Sequence, residues 1–147
     1  MNLKVFTDGG ARGNPGPAAV GVVIKNEEGK VIYWFGKQIG YTTNNIAEYM
    51  GVIEALKYLR QQRTANRHQT QKIDFYLDSK LVVNQLNGVF KIKNPKLREL
   101  VFKIRSLEQE IGPKIFYHFI PREKNLAHPL AEKAMRRWRR RGFTPKS

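Results

Sequence analysis

From residue 2 to residue 8 the chain alternates, with Leu3, Val5 and Thr7 on one side and Lys4, Phe6 and Asp8 on the other, which is the period of a strand. The strand is expected to stop at Asp8, because Gly9, Gly10, Gly13, Asn14, Pro15, Gly16 and Pro17 read as a turn-rich loop. Two further β-type runs, Ala19 to Lys25 and Lys30 to Ile39, are joined by Asn26-Glu27-Glu28-Gly29 and predict an antiparallel hairpin. From Asn45 to about Arg60 the apolar spacing turns helical, with Ile46, Tyr49, Met50, Ile53, Leu56 and Leu59 on one stripe. Thr43 or Asn44 supplies the N-cap, and Glu48 falls in the first turns. Gln61 to Gln71 is polar and patternless, and reads as a loop.

Ile73, Phe75 and Leu77 alternate against Asp74, Tyr76 and Asp78, so a fourth strand also ends in an aspartate. Ser79 caps a short helix that closes at Asn87-Gly88. A longer helix carries Leu97, Leu100, Val101, Ile104, Leu107 and Ile111, entered through Pro95 and stopped by Gly112-Pro113. Lys114 to Ile120 is a fifth strand, and a last helix runs from Pro129 to about Arg141. The order βββαβααβα, without internal repeat or linker, predicts one α/β domain over residues 1–147, with a basic helix end and tail at about 136–147.

Composition narrows the partners. The chain has 147 residues, 41% of them hydrophobic, enough for a real core. No apolar run approaches the roughly 18 residues of a membrane span, and no signal-peptide pattern opens the chain, so a cytoplasmic protein without membrane contact is expected. The absence of cysteine excludes disulfides, thiolate chemistry and Cys-ligated zinc. With 27 Lys plus Arg against 12 acids and a net charge of +15, the partner indicated is a polyanion, most economically nucleic acid; solubilising charge is the alternative.

Against that basic background Asp8, Glu48 and Asp78 stand out. Asp8 and Asp78 end strands, where ligands of α/β sheets gather, and Glu48 opens the helix between them. If the two strands are parallel neighbours, their carboxylates repel each other unless a cation is present. Each acid alone could equally be a cap or turn residue. Three so placed are what a protein needs to hold divalent metal against a polyanion.

The chain resembles ribonuclease H of type 1, from Lys4 to about Met135. The motifs are Thr7-Asp8-Gly9-Gly10 with Gly13-Asn14-Pro15-Gly16, Thr43-Asn44-Asn45 ahead of Glu48, Asp78-Ser79 with Leu86-Asn87-Gly88, and Pro121-Arg122-Glu123 leading into Leu130-Ala131. The resemblance implies a five-stranded mixed sheet with helices on both faces. It also implies endonucleolytic cleavage of the RNA strand of RNA/DNA hybrids by a monomer with two Mg²⁺ ions, leaving 5′-phosphate and 3′-hydroxyl ends. It assigns Asp8, Glu48 and Asp78 to the metal, with Asp8 bridging both ions. Gly10, Gly13, Asn14, Asn44 and Asn45 fall to the minor groove and RNA 2′-hydroxyls, and Thr43 to a DNA phosphate with Lys93 and Asn94 as helpers. The second and third helices join directly through Phe90-Lys91-Ile92-Lys93-Asn94, leaving no room for the extra basic helix of some members.

Three departures qualify the resemblance. His128 stands where the family carries its fourth metal-binding acid; neutral imidazole can ligate, and Mn²⁺ accepts nitrogen more readily than Mg²⁺ does. Lys80 replaces a glutamine that touches RNA, favouring phosphate over a base edge. No histidine precedes the last helix, and Glu123 is the nearest titratable group to assist metal or product exchange, with a helix-entry ion pair as the alternative. His118, mid-strand, reads as packed or paired; His68 reads as solvated, and the arginines from 136 to 141 either grip phosphate around Trp138 or form the wet face of a helix. The competing functions are a hybrid-binding module crippled in turnover by His128, and a general basic nucleic-acid binder, which leaves the acids unexplained.

Overall fold

The computed structural model describes residues 2–66, 70–112 and 114–140, and the side chains of all of these except 63–66 and 138–140. The elements are β1 (Asn2–Ala11), β2 (Gly16–Lys25), β3 (Val31–Thr42), α1 (Asn44–Asn66), β4 (Lys72–Leu77), α2 (Lys80–Leu86), α3 (Pro95–Ile111), β5 (Lys114–Phe119), a 3₁₀ turn (Arg122–Lys124) and α4 (His128–Arg140). The five strands lie in the order β3-β2-β1-β4-β5. The first three form an antiparallel meander, and β4 and β5 add in parallel to β1, giving the expected mixed sheet.

The alternation seen along the chain sorts the two faces. Leu3, Val5, Ile73, Phe75 and Leu77 enter a core shared with Ile53 and Leu56 of α1 and Ile104 of α3. α4 lies on the opposite face, against β2, β3 and β1. Asn94 caps α3 by accepting from the N–H groups of Lys96 at 2.8 Å and Leu97 at 3.2 Å, and Gly112 ends it in the left-handed conformation at φ 92°. No helix lies between α2 and α3, as expected from the short connection.

Four boundaries differ from the expectation by more than a residue, the first being the start of β2, where Gly16, Pro17 and Ala18 pair with β3 rather than staying in a loop. β1 does not stop at Asp8: Gly9, Gly10 and Ala11 pair with Val20, Ala19 and Ala18 of β2, so partner strand hydrogen bonds override the weak strand preference of glycine. α1 continues past Arg60 to Asn66, because Gln, Arg and Ala favour helical backbone without needing an apolar stripe. β3 continues past Ile39 to Thr42. His68, Arg141 and the tail lie outside the described residues, as do the side chains of Trp138, Arg139 and Arg140.

The pairing leaves a split in the sheet. Parallel pairing of β1 with β4 ends at Phe6 opposite Tyr76, whereas β1 runs on beside β2 to Ala11. Beyond the Phe6 row, side chains from the α1 face and the α4 face can meet.

Candidate metal centre and substrate cleft

Three carboxylates and one imidazole converge at that split. Asp8 points from β1 toward α4 and is 5% exposed, Asp78 follows directly after β4, Glu48 comes from α1 and is 8% exposed, and His128 opens α4. One ligand atom each of Asp8, Asp78 and His128 lies within 4.8 Å of the other two. Asp8 Oδ2 is 2.8 Å from His128 Nδ1, and His128 Nε2 is 3.4 Å from Glu132 Oε1 one helical turn on.

Two glycines let the helices come this close. A Cβ on Gly9 would stand 2.0 Å from the Ala47 carbonyl oxygen, so β1 and α1 touch backbone to backbone beside Glu48. A Cβ on Gly21, the β2 partner of Asp8, would stand 2.3 Å from the Ala127 oxygen, which seats the start of α4, and with it His128, over Asp8.

The electrostatics are those of a cluster built for a cation. Burial first, then the Asp78 charge, pushes the Asp8 carboxyl up, opposed by its bonds to His128 and Glu48. Burial, followed by the charges of Asp8 and Asp78, pushes Glu48 well above the ordinary carboxylate range, with Arg122 acting weakly the other way. Glu48 Oε2 is buried and meets no hydrogen-bond donor among the described residues. A lone carboxylate oxygen facing other carboxylates suits a hard divalent ion, and the donor set of carboxylates plus one imidazole fits Mg²⁺ or Mn²⁺.

Both shifts are upward, so ionising this pair costs the metal-free fold free energy. Its contribution to stability is greatest below the ordinary carboxylate range and is lost as pH rises through the raised folded-state values. Glu48→Gln is therefore expected to melt above the parent in EDTA at neutral pH, by about 2–4 °C for each kcal/mol relieved. The gap should close as pH falls and Glu48 takes up its proton; a lower Tm for the variant at neutral pH would contradict the assignment of repulsion.

Asn125, to which the sequence assigned no role, ties the centre together. It is 3% exposed; its Nδ2 donates to Asp78 Oδ2 and to the Thr7 carbonyl, both at 2.9 Å, and its Oδ1 accepts from Ala127 N–H at 3.1 Å. The available signal is an asparagine three residues ahead of a helix entry, a residue type that bonds backbone two positions on. Glu132 was likewise missed, although its i+4 spacing from His128 was readable.

An open cleft of about 480 Å³ adjoins the cluster, lined also by Gly10, Ala11, Asn44, Asn45, Ser79, Arg122, Glu132 and Met135. Thr43 Oγ1 accepts from Ile46 N–H at 3.3 Å and caps α1. Asn44 does not cap the helix with its side chain: its Oδ1 accepts from Ala11 N–H at 2.8 Å, while its own N–H donates to Asn14 Oδ1 at 2.9 Å. Gly13 takes φ 87° in the exposed turn beside Asn14, at the rim. Lys80 and Glu123 do not line the cleft; both are exposed, the Lys80 Nζ lying 5.1 Å from the Phe119 ring centroid. Asn94 spends its side-chain oxygen on the α3 cap, and Lys93 is exposed. His118 is paired, its Nε2 2.7 Å from Asp74 Oδ1.

A family model described as reverse transcriptase-like matches residues 6–134. The crystal structure of LC11-RNase H1 in complex with an RNA/DNA hybrid is 41% identical and superposes at a TM-score of 0.86, covering 92% of this chain and 97% of that one. The ribonuclease HI of Halobacterium salinarum is 37% identical, covering 90% of this chain and 64% of the relative. The bifunctional protein Rv2228c of Mycobacterium tuberculosis is 37% identical over 92% of this chain, which spans only 36% of its length.

Proposed function

Because the chain belongs to the ribonuclease H type 1 family, we propose that it hydrolyses the RNA strand of RNA/DNA hybrids, using divalent metal held by Asp8, Glu48, Asp78 and His128. The observation that carries this reading is the buried, mutually repelling carboxylate cluster with an undonated Glu48 oxygen, set in a chain of net charge +15. The hybrid bound by LC11-RNase H1 supports the same substrate here. Two Mg²⁺ ions, or Mn²⁺ in their place, would supply an activated water and charge neutralisation for in-line displacement at phosphorus, leaving 5′-phosphate and 3′-hydroxyl ends.

The chain's own residues do the positioning. Asn125 fixes the Asp78 carboxylate by one of its oxygens, and His128 holds Asp8 Oδ2 while Glu132 faces its other nitrogen. Asn44 locks the β1 end to α1, and Asn14 braces Asn44, which makes the rim rigid enough to discriminate. Asn14, Asn44 and Asn45, with backbone left open at Gly10 and Gly13, read the 2′-hydroxyls that DNA lacks. The Thr43 oxygen accepts from the helix, leaving its hydroxyl proton for a DNA phosphate. Lys80 contacts phosphate outside the cleft, and Glu123 serves exchange of metal or product. A monomer working in the cytoplasm completes the reading, supported by the cysteine-free composition.

Asn14→Ala and Asn45→Ala are each expected to reduce discrimination between hybrid and duplex DNA about fivefold, the worth of one hydrogen bond of roughly 1 kcal/mol. Competition binding with the two duplexes checks this; unchanged preference in both variants would remove the minor-groove assignment.

The proposal is tested by hybrid cleavage in Mg²⁺ and in Mn²⁺ with the parent, His128→Asp and His128→Ala. Cleavage by the parent is expected, with a higher Mn²⁺ to Mg²⁺ ratio than His128→Asp and less Mg²⁺ activity than that variant. Hybrid binding without cleavage in either metal would favour the hybrid-binding module instead. Equal rates from all three would make position 128 dispensable.

A further inference from the structure

Among the described residues, α4 covers only part of its sheet face, resting on Gly21, Gly36 and Gly10 toward the end of β1. The uncovered part begins one row before the carboxylates. Register places Trp34, Val23, Phe6, Tyr76 and His118 side by side across all five strands. Phe6 stacks on Tyr76 at 5.2 Å between centroids, and Tyr76 on His118 at 5.1 Å. These rings face one another, so bases would find stacking faces at the two ends of the row, His118 and the 62% exposed Trp34.

The rows beyond carry the charge. Lys4 and Lys25 lie opposite each other, Lys25 Nζ sits 5.8 Å from the Phe6 centroid, and Lys72 sits 5.4 Å from that of Phe116. The acid in these rows, Asp74, is taken up by His118 at 2.7 Å and Lys72 at 3.5 Å. Glu27, at the margin, accepts from the Asn2 backbone N–H.

We propose that this aromatic and lysine-bearing half of the sheet binds single-stranded nucleic acid, at a site separate from the metal-bearing cleft. Exposed rings interleaved with lysines are what a flexible polyanion with π faces needs. From His118 to Trp34 is four strand spacings, about 19 Å, room for about four nucleotides, the lower end of single-strand site sizes. A second copy of the chain is a poor occupant, since each copy carries +15. Nothing in this site depends on the hydrolytic reading.

The test uses the full chain in EDTA and a labelled twelve-residue oligothymidylate, which forms no hybrid, followed by anisotropy and by quenching of tryptophan fluorescence. Trp34→Ala and Lys25→Ala are each expected to weaken its binding about fivefold or more, to leave hybrid kcat/KM in Mg²⁺ unchanged, and for Trp34→Ala to remove the quench. Asn14→Ala should leave oligothymidylate binding intact. Parental affinity in both sheet variants, or a matching loss in Asn14→Ala, would overturn the site. Equal losses for polyglutamate of the same charge would overturn recognition of bases and point to an acidic protein partner.

Discussion

Asp8→Asn and Asp78→Asn are each expected to lower hybrid cleavage at least ~10³-fold, about 4 kcal/mol of transition-state stabilisation, while hybrid affinity stays within about twofold of the parent. Both changes keep the side-chain shape. An asparagine oxygen at position 78 can still accept from Asn125, so the loop ahead of α4 keeps its anchor. At position 8 the change removes a buried carboxylate whose ionised form is already disfavoured, so the fold should not suffer. What both variants lose is the negative charge that holds divalent metal. Single-turnover cleavage beside hybrid binding and thermal melting separates these effects; substantial cleavage by either folded variant would contradict the metal-ligand assignment.

Gly9→Ala should be nearly as damaging, by another route. Its Cβ would stand 2.0 Å from the Ala47 oxygen and 2.7 Å from the Glu48 nitrogen, and backbone cannot rotate aside as a side chain can. α1 must therefore lift from β1, carrying Glu48 away from Asp8. A displacement on the order of 1 Å costs roughly 10²-fold in rate, and the lost packing about 1–3 kcal/mol of stability. Gly29→Ala is the control: its positive φ of 79° strains the backbone, but no described residue lies within 4 Å and the site is remote, so stability falls slightly while the cleavage rate holds. Equal kcat in the parent and Gly9→Ala would show that the close contact does not position Glu48.

Much of this arrangement was legible in the chain. Alternation through Leu3 to Asp8 and Ile73 to Asp78 puts an aspartate at the end of each run, and the two strands prove to be parallel neighbours, paired as far as Phe6 and Tyr76. The stripe from Ile46 to Leu59 gave the helix that carries Glu48, although not its polar continuation to Asn66. What local pattern could not carry was pairing between distant segments. Gly9 to Ala11 reads as a turn until β2 supplies hydrogen bonds, and the split beyond Phe6 and Tyr76, where both faces meet, exists only in the register. Asn125 looked like a loop residue because its partners, Thr7 and Asp78, lie far away in sequence. The chain itself places His128 at the start of the last helix, whereas its contact with Asp8, 120 residues away in sequence, exists only in the fold.

The most direct measurement uses a hybrid whose RNA and DNA strands carry different labels, incubated with metal-stripped protein before and after addition of Mg²⁺ or Mn²⁺. The expected result is no cleavage in EDTA, internal cuts confined to RNA once metal is present, 3′-hydroxyl and 5′-phosphate ends, and none of this from Asp8→Asn. Cutting that persists in EDTA, that extends to the DNA strand, or that survives Asp8→Asn would contradict it.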